Sequence, residues 1–301
     1  MNIDIRIRGE FAMLLGRHIE LKLYFTKMHG CGNDYIYFNC FEQRITDPET
    51  LAVKLSDRHF SVGGDGIVLI GPSGIADAKM RMFNADGSEG KMCGNAIRCV
   101  GKYLYDNGIV EKEQITVETL SGVKVLQMFR KDGKVDEVKV DMGKAEWSAP
   151  LIPVNTSKPE VVAEPFLIDG TMYSITCVSM GNPHCVVFVD DVENIPIEKI
   201  GPLFENDPLF PERINTEFIQ VVDKKTLKMR VWERGSGETW ACGTGACASA
   251  AAAIRNGFCQ ENEEITVKLR GGDLKIQVSG NTVTMTGKAE KAFEGFVETV
   301  S

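Results

Sequence analysis

Two cysteines hold equivalent places in a sequence that the chain repeats. Cys93 lies in KMRMFNADGSEGKMCGNAIRCVGKYLYDNG, and Cys242 lies in KMRVWERGSGETWACGTGACASAAAAIRNG, 149 residues further on (242 − 93). The pair Gly32-Asn33 and Gly181-Asn182 keeps the same separation well upstream of the cysteines. A register held over such a distance indicates a gene duplication. Two thiols related by a pseudo-dyad suit a reaction that treats the two faces of one atom alike.

Each cysteine stands where a helix is predicted to begin. The apolar stretch that follows it ends at Asn-Gly, which is typical of a helix with a C-terminal glycine stop. Unpaired amides and the dipole at a helix start favour negative charge, so this position predicts a lowered thiol pKa and a usable thiolate. The next residues, Gly94-Asn95 and Gly243-Thr244, let the backbone approach a ligand and offer amides to an anion such as a carboxylate.

Two such thiols can invert a stereocentre. If one sulfur is a thiolate and the other a thiol, the first removes the Cα proton while the second delivers a proton to the opposite face. Amides aimed at the carboxylate stabilise the charge that develops on it. The expected partner is a small amino acid, and this design needs no cofactor. The alternative is that the cysteines only pack, as free cysteine often does, and we interpret Cys99 and Cys247 in that way.

Composition argues against several classes of protein. The formal charge of −8 and the pI near 5.2 are unfavourable for binding nucleic acid. Nine cysteines without a CxxC motif, in a chain of 301 residues, indicate reduced thiols in the cytoplasm. The four histidines do not cluster with cysteines at ligand spacing, so we expect no metal. No apolar run reaches the roughly 18 residues of a membrane span, and we expect neither a signal peptide nor a membrane partner.

The repeat also predicts how the chain is organised. In each copy, strand-forming segments surround a helix that is too apolar to face water, so the helix must be covered by strands. We predict a first lobe at 23–142 and a second lobe at 143–287. Residues 1–22 precede the repeat, and their IDIRIR segment alternates with period two. We interpret them as an extension: an added strand, a tail or a mis-assigned translation start.

Several separated motifs resemble those of the diaminopimelate epimerases, which work without a cofactor. They are HGCGNDY (29–35), FNADGSE (83–89), CGNAIRC (93–99), GNPH (181–184), ERGSGET (233–239) and ACGTGAC (241–247). The resemblance implies conversion of LL-2,6-diaminopimelate to the meso form, a step toward lysine and, in bacteria, peptidoglycan. It also implies an α+β fold of two pseudo-symmetric lobes, each a mixed, barrel-like sheet around a central helix, with a strand at about 288–301 returning to the first lobe. Relatives are often homodimers.

The resemblance also implies roles for individual residues. Cys93 and Cys242 would be the acid/base thiols, and His184 and Glu233 would support the site. The reacting carboxylate would be cradled by Gly94, Asn95, Gly243 and Thr244. The polar ends of the substrate would be bound by Asn33, Asn84, Asn182, Asn215, Glu233 and Arg234. An arginine suits a carboxylate because its guanidinium offers two parallel donors.

Two positions depart from the family pattern, and two other functions compete. Gly66 offers only backbone where some members have glutamine, and Trp240 stands where a polar residue is often seen. One competing function is a proline or hydroxyproline racemase, against which stand the CGN motif and the distal set Asn84, Asn215, Glu233 and Arg234, which a small ring would not need. The other is a redox-regulated binding protein in which the paired cysteines form a disulfide.

Overall fold

The computed structural model describes residues 20–300. The alternating segment predicted within the extension lies outside the described residues. Within 20–300 the chain forms four helices: α1 (Pro48–Ser56), α2 (Gly94–Asp106), α3 (Ile197–Glu205) and α4 (Gly243–Arg255). None of them is long and apolar enough to cross a membrane.

Eighteen strands make up most of the remainder of the described chain. Those of the first half are β1 (Glu20–Gly30), β2 (Asn33–Asn39), β3 (Gly66–Gly71), β4 (Ala78–Asn84), β5 (Glu89–Gly90), β6 (Gln114–Thr119), β7 (Gly122–Lys131) and β8 (Lys134–Lys144). Those of the second half are β9 (Glu164–Ile168), β10 (Thr171–Ser179), β11 (Pro183–Phe188), β12 (Asn215–Asp223), β13 (Thr226–Glu233), β14 (Gly237–Thr239), β15 (Glu264–Leu269), β16 (Gly272–Ser279), β17 (Thr282–Lys288) and β18 (Glu290–Val300).

The two halves repeat one strand pairing. In the first half β2 and β3 are parallel, β3 and β4 antiparallel, and β4 and β6 parallel. In the second half β11 and β12 are parallel, β12 and β13 antiparallel, and β13 and β15 parallel. The register repeats too: Tyr35 faces Gly66 and His184 faces Asn215, each 149 residues on (184 − 35 and 215 − 66). The predicted α+β fold of two pseudo-symmetric lobes is confirmed.

The two lobes share one continuous sheet. Strand β8 of the first half pairs antiparallel with β17 of the second half. Strand β18 pairs antiparallel with β1, so that Phe25 faces Gly295. The last strand of the described chain, β18, therefore pairs with the first strand, β1.

Helices α2 and α4 lie inside the lobes, as their composition predicts. Ala246, Cys247, Ala248 and Ala250 of α4 are fully buried. Such small side chains let the surrounding strands approach the helix closely, and a polar face would leave groups unsatisfied there. Both helices end at Asn-Gly, and the glycines after them, Gly108 and Gly257, take positive φ as a C-terminal stop requires.

The first turns of α2 and α4 meet at one side chain. A Cβ added to Gly94 would lie 2.8 Å from Cε of Met285, and one added to Gly243 would lie 3.2 Å from its Sδ. Asn95 of α2 also donates to the carbonyl of Ala241, which precedes α4, at 3.4 Å. The fold therefore brings the starts of both duplicated helices to one place between the lobes.

Candidate active site

Cys93 is the residue that begins α2. Its backbone is extended, its side chain caps no amide of the helix, and the helix starts at Gly94. The thiol is partly buried and donates to Oδ1 of Asn33 at 3.3 Å. The predicted helix start is therefore present, and the sulfur faces the first residue of strand β2.

Cys242 begins α4 in the same backbone conformation. Its sulfur accepts from the amide of Gly245 at 3.3 Å and lies 3.5 Å from Oγ1 of Thr244. The side chain is buried. The two thiols thus hold equivalent positions, but Cys242 already uses an amide of its helix whereas Cys93 does not.

The prediction of lowered thiol pKa values is wrong in this structure. Burial raises the pKa of Cys93 more than the nearby backbone amides of Ala96 and Asn95, neither of which forms a cap hydrogen bond with the sulfur, lower it. Burial likewise raises the pKa of Cys242 well above its ordinary value, and the carboxylate of Glu233 adds to the rise. At both sulfurs the loss of hydration on burial raises the pKa more than the dipole at the helix start lowers it.

Glu233 links the surroundings of the two thiols. It ends strand β13, lies beside Cys242, and its charge also acts on Cys93. Its carboxylate accepts from the hydroxyl of Thr239, and burial raises the pKa of Glu233. The carboxylate of Glu233 therefore acts on the thiol of each lobe.

A network of charges on the first lobe fixes the amide of Asn33. Its Nδ2 donates to Oδ2 of Asp65 at 2.6 Å, which leaves Oδ1 to face the thiol of Cys93. Asp65 is itself held by Arg58 at 2.9 Å, and Arg58 also binds Asp34 at 2.6 Å. The orientation of Asn33 is thus set by a residue that lies 32 positions away (65 − 33) in the sequence.

In the second lobe the residue equivalent to Asn33 is Asn182 (33 + 149), and it is held by His184. Its Nδ1 lies 2.7 Å from Oε1 of Glu217, and its Nε2 lies 3.1 Å from Oδ1 of Asn182. The side chains of His184 and Glu217 are fully buried. The carboxylate of Glu217 also raises the pKa of Cys242. This chain of contacts runs from the GNPH motif to the thiol.

The remaining predicted substrate ligands make contacts within the protein. Asn215 accepts from the amide of Arg234 at 3.0 Å and donates to the carbonyl of Pro183 at 2.7 Å. Arg234 donates to the carbonyl of Glu212 at 2.8 Å. Asn84 donates to Oγ of Ser88 at 3.0 Å. The carboxamide of Asn215 therefore has one bond at each end before any substrate is considered.

Gly66 and Trp240 have structural explanations. Gly66 has φ 155°, and a Cβ there would lie 2.0 Å from the carbonyl oxygen of Phe83, so the strand pair has no room for a side chain. Trp240 is 62% exposed, yet its ring would be 3.2 Å from a Cβ on Gly32, next to Asn33. An indole from the second lobe thus covers the turn that carries Asn33 in the first.

Sequence reasoning missed three buried or charged groups at the site: Asp65, Glu217 and Arg98. The alternation of strand β12 and its start at Asn215 place Glu217 on the same face as Asn215, which is the one signal that pointed to it. Among residues 20–300 no group of three or more His, Cys, Asp or Glu side chains is arranged to hold a metal ion.

Comparison with known proteins identifies the family. The profile of the family described as diaminopimelate epimerase matches residues 25–148 and 176–292, which together are most of the chain. This chain belongs to the diaminopimelate epimerase family. A diaminopimelate epimerase of Acetivibrio thermocellus is 58% identical over 276 residues, which cover 91% of this chain and 98% of that protein. The resemblance drawn from the motifs is confirmed.

Solved structures support the fold. A phenazine biosynthesis protein of the PhzF family from Bacillus anthracis has a TM-score of 0.68 at 18% identity and covers 92% of this chain and 99% of its own. A hydroxyproline epimerase from Agrobacterium vitis, solved with bound trans-4-hydroxy-L-proline, has a TM-score of 0.68 at 14% identity and covers 93% of each chain. At such identities the likeness shows a shared two-lobed fold, which different activities use.

Proposed function

We propose that this chain converts LL-2,6-diaminopimelate to the meso form with Cys93 and Cys242 as its two acid/base groups. The observation that carries the proposal is the convergence of both cysteine-led helices on Met285. Membership of the diaminopimelate epimerase family supports the substrate. A proline or hydroxyproline racemase shares the fold, but the family model and the relative from Acetivibrio thermocellus are both those of diaminopimelate epimerases.

The proposed reaction removes a proton from one face of Cα and adds a proton to the opposite face. A thiolate in one lobe takes the Cα proton, which forms an S–H bond, while the thiol of the other lobe gives its proton to the opposite face. The protonation states of the two sulfurs are then exchanged, and the next turnover in the same direction needs their reset by solvent. Amides of Gly94, Asn95, Gly243 and Thr244 hold the reacting carboxylate and stabilise its growing charge.

Six polar residues bind the polar ends of the substrate in this proposal: Asn33, Asn84, Asn182, Asn215, Glu233 and Arg234. Asn215 contributes chiefly by fixing the main chain of Arg234, because its carboxamide is bonded to Arg234 and to Pro183. His184 supports the site through Asn182 and Glu217.

Proton exchange at Cα tests the proposal. In deuterium oxide, the wild-type protein incorporates deuterium into diaminopimelate during epimerisation without added cofactor. Cys93→Ala and Cys242→Ala each lower the epimerisation rate by about 10²–10⁴, the range for loss of an acid/base group. Cys247→Ala is the control, because Cys247 is buried on helix α4 away from its first turn. Epimerisation at the wild-type rate by either active-site variant contradicts the proposal.

The oligomeric state and location form a separate proposal. Tyr24 and Phe296 are 63% and 48% exposed, and their rings lie 6.0 Å apart across β1 and β18. We propose that this aromatic pair contributes to a homodimer. We also propose that the protein is cytoplasmic, because the chain has nine cysteines and reduced cysteines are typical of that compartment. Sedimentation equilibrium of the wild type and of Tyr24→Asp tests the homodimer, and a monomeric wild type at micromolar concentration contradicts it.

A further inference from the structure

Arg98 is a buried cation directly beneath the first turn of helix α2. Its side chain is fully buried. Its Nη1 donates to the carbonyl of Gly94 at 3.0 Å, and its Nε donates to the carbonyl of Lys288 at 3.2 Å. Its other neighbours are sulfurs, Sγ of Cys31 at 3.7 Å and Sδ of Met285 at 3.8 Å. Gly94 directly follows Cys93, so the guanidinium contacts the corner that carries the thiol.

The charge of Arg98 has no acidic partner in the described part of the chain. Its hydrogen bonds there go to carbonyls and sulfurs, and no carboxylate lies within ion-pair distance. A buried unpaired cation is strongly unfavourable unless an anion compensates for it. The cation also lies at the positive end of the helix dipole, where anions are favoured and cations are not. For both reasons a negative charge at the start of α2 would be stabilised.

The second lobe has the opposite arrangement. The residue equivalent to Arg98 is Cys247 (98 + 149), a neutral and fully buried thiol. Two carboxylates, of Glu217 and Glu233, act instead on Cys242. The duplication has therefore placed a cation below one reacting thiol and two acids beside the other.

We propose that Arg98 is a positioning residue that directs the negative charge of the cysteine pair to Cys93. In the free enzyme Cys93 is then the sulfur that ionises first, and Cys242 stays a thiol. The role of this charge in turnover rests on the proposed epimerase function. Its effect on thiol ionisation does not, so the two can fail separately.

Other ionisable groups also face Cys93. Cys99 lies on its own helix, Tyr35 and Tyr37 on β2, and Glu233 on β13. At neutral pH the cysteine and tyrosines are uncharged, since burial raises the pKa of each of them. Glu233 opposes ionisation of Cys93, but it is hydrogen-bonded to Cys242 and raises the pKa of that thiol as well. Arg98 is the cation of this group, and it lowers the pKa of Cys93.

Alkylation by iodoacetamide at a series of pH values measures the proposal without substrate. The rate at each cysteine is followed by mass spectrometry of its peptide, because the thiolate is the reactive form. In the wild type, Cys93 reacts at lower pH than Cys242. Arg98→Met moves the Cys93 profile up by about one unit, which lowers its rate below the pKa about tenfold. Arg98→Lys keeps the charge and moves it less.

The results that overturn the proposal are distinct. Ionisation of Cys242 before Cys93 in the wild type overturns it with no variant needed. An unchanged Cys93 profile in folded Arg98→Met or Arg98→Gln does so too, as does an equal shift at both active-site cysteines, which a structural role would give. A shift confined to Cys31 assigns the charge to that thiol instead and also contradicts the proposal. Circular dichroism and thermal unfolding establish that each variant is folded.

Discussion

At the scale of single residues, the two thiols proposed as acid/base groups have different partners despite their equivalent positions. Cys93 donates to the amide oxygen of Asn33, whereas Cys242 accepts from the amide of Gly245 and faces two carboxylates. One of these carboxylates belongs to Glu217, which is fixed by His184 at 2.7 Å. The two sulfurs therefore have equivalent backbone positions but different charged neighbours.

Removal of the Glu217 charge is expected to make Cys242 more acidic. The carboxylate raises the pKa of Cys242, so Glu217→Gln lowers that pKa and increases thiolate at a given pH. Ionisation of Cys242, followed by thiolate absorbance or by alkylation against pH, measures the change. Glu205→Gln is the control, since Glu205 is a buried acid of the same lobe bonded to Trp232. A Cys242 pKa that rises in Glu217→Gln contradicts this account.

The sequence predicts the cysteines and their helices well, but it predicts the surrounding charges poorly. The duplicated CG motif is a local signal, and a helix begins after each of its cysteines. Asp65 and Arg98 act through contacts between segments distant in the sequence, such as Asp65 with Asn33. The pKa directions depend on how much water folding removes, and no local pattern reports that. For this reason the helix-start argument gave the wrong direction for the pKa of both thiols.

At the scale of elements, the first turn of helix α4 has almost no free space. A Cβ on Gly245 would lie 2.6 Å from Oε1 of Glu217 and 3.2 Å from Sγ of Cys242. Gly101, in the middle of α2, would place its Cβ 3.5 Å from Leu126 and Val138, which is ordinary contact. The two helices therefore give different roles to their internal glycines.

Opposite effects are expected when these two glycines become alanine. Gly101→Ala raises the free energy of unfolding by up to about 1 kcal/mol, because alanine favours the helix and its methyl group fits. Gly245→Ala lowers the free energy of unfolding by about 1–3 kcal/mol and lowers kcat, because Glu217 and Cys242 must shift. Urea unfolding and an epimerisation assay measure both. Equal stability of the two variants would show that the first turn of α4 can relax.

A buried thiol of helix α4 also makes the free energy of unfolding depend on pH in the alkaline range. Burial raises the pKa of Cys247 from 9.0 to about 12. The unfolded chain ionises this thiol near its ordinary pKa while the folded chain keeps it protonated, so the contribution is complete below about pH 9 and is lost as pH rises toward 12. The free energy of unfolding falls by about 1.4 kcal/mol per pH unit for such a group. Cys247→Ala removes this part of the slope between pH 9 and 10.5, and an unchanged slope contradicts the assignment.

At the scale of the whole molecule, the lobes are joined by strands rather than by a flexible linker alone. Strand β8 pairs with β17, and β18 pairs with β1 over most of its length. Val297 of β18 packs against the core that contains Phe25, while its neighbour Glu298 faces outward toward Lys22 at 3.8 Å. The stability of the first lobe therefore depends on the last described strand.

A polar substitution on the inner face of β18 is expected to weaken the first lobe. Val297→Asn lowers the free energy of unfolding by about 1–3 kcal/mol, because it places an amide against an apolar core. Glu298→Asn, one residue on and facing the other side, changes it by less than about 0.5 kcal/mol. Hydrogen exchange of β1 and β2 reports the local effect. Equal protection of these strands in both variants would contradict the assigned role of β18.

The pairing of β1 with β18 has a consequence for how the protein is made on the ribosome. The segment 20–30 is translated before the strand that covers it, 290–300. Until that strand is made, β1 has an open edge, which is the kind of surface that chaperones bind and that aggregates. Strands β9–β17 pair with one another or with β8, so the second lobe can assemble before β18 is translated. A released chain that ends at residue 289 should therefore protect the later half from protease and leave the earlier half open to it.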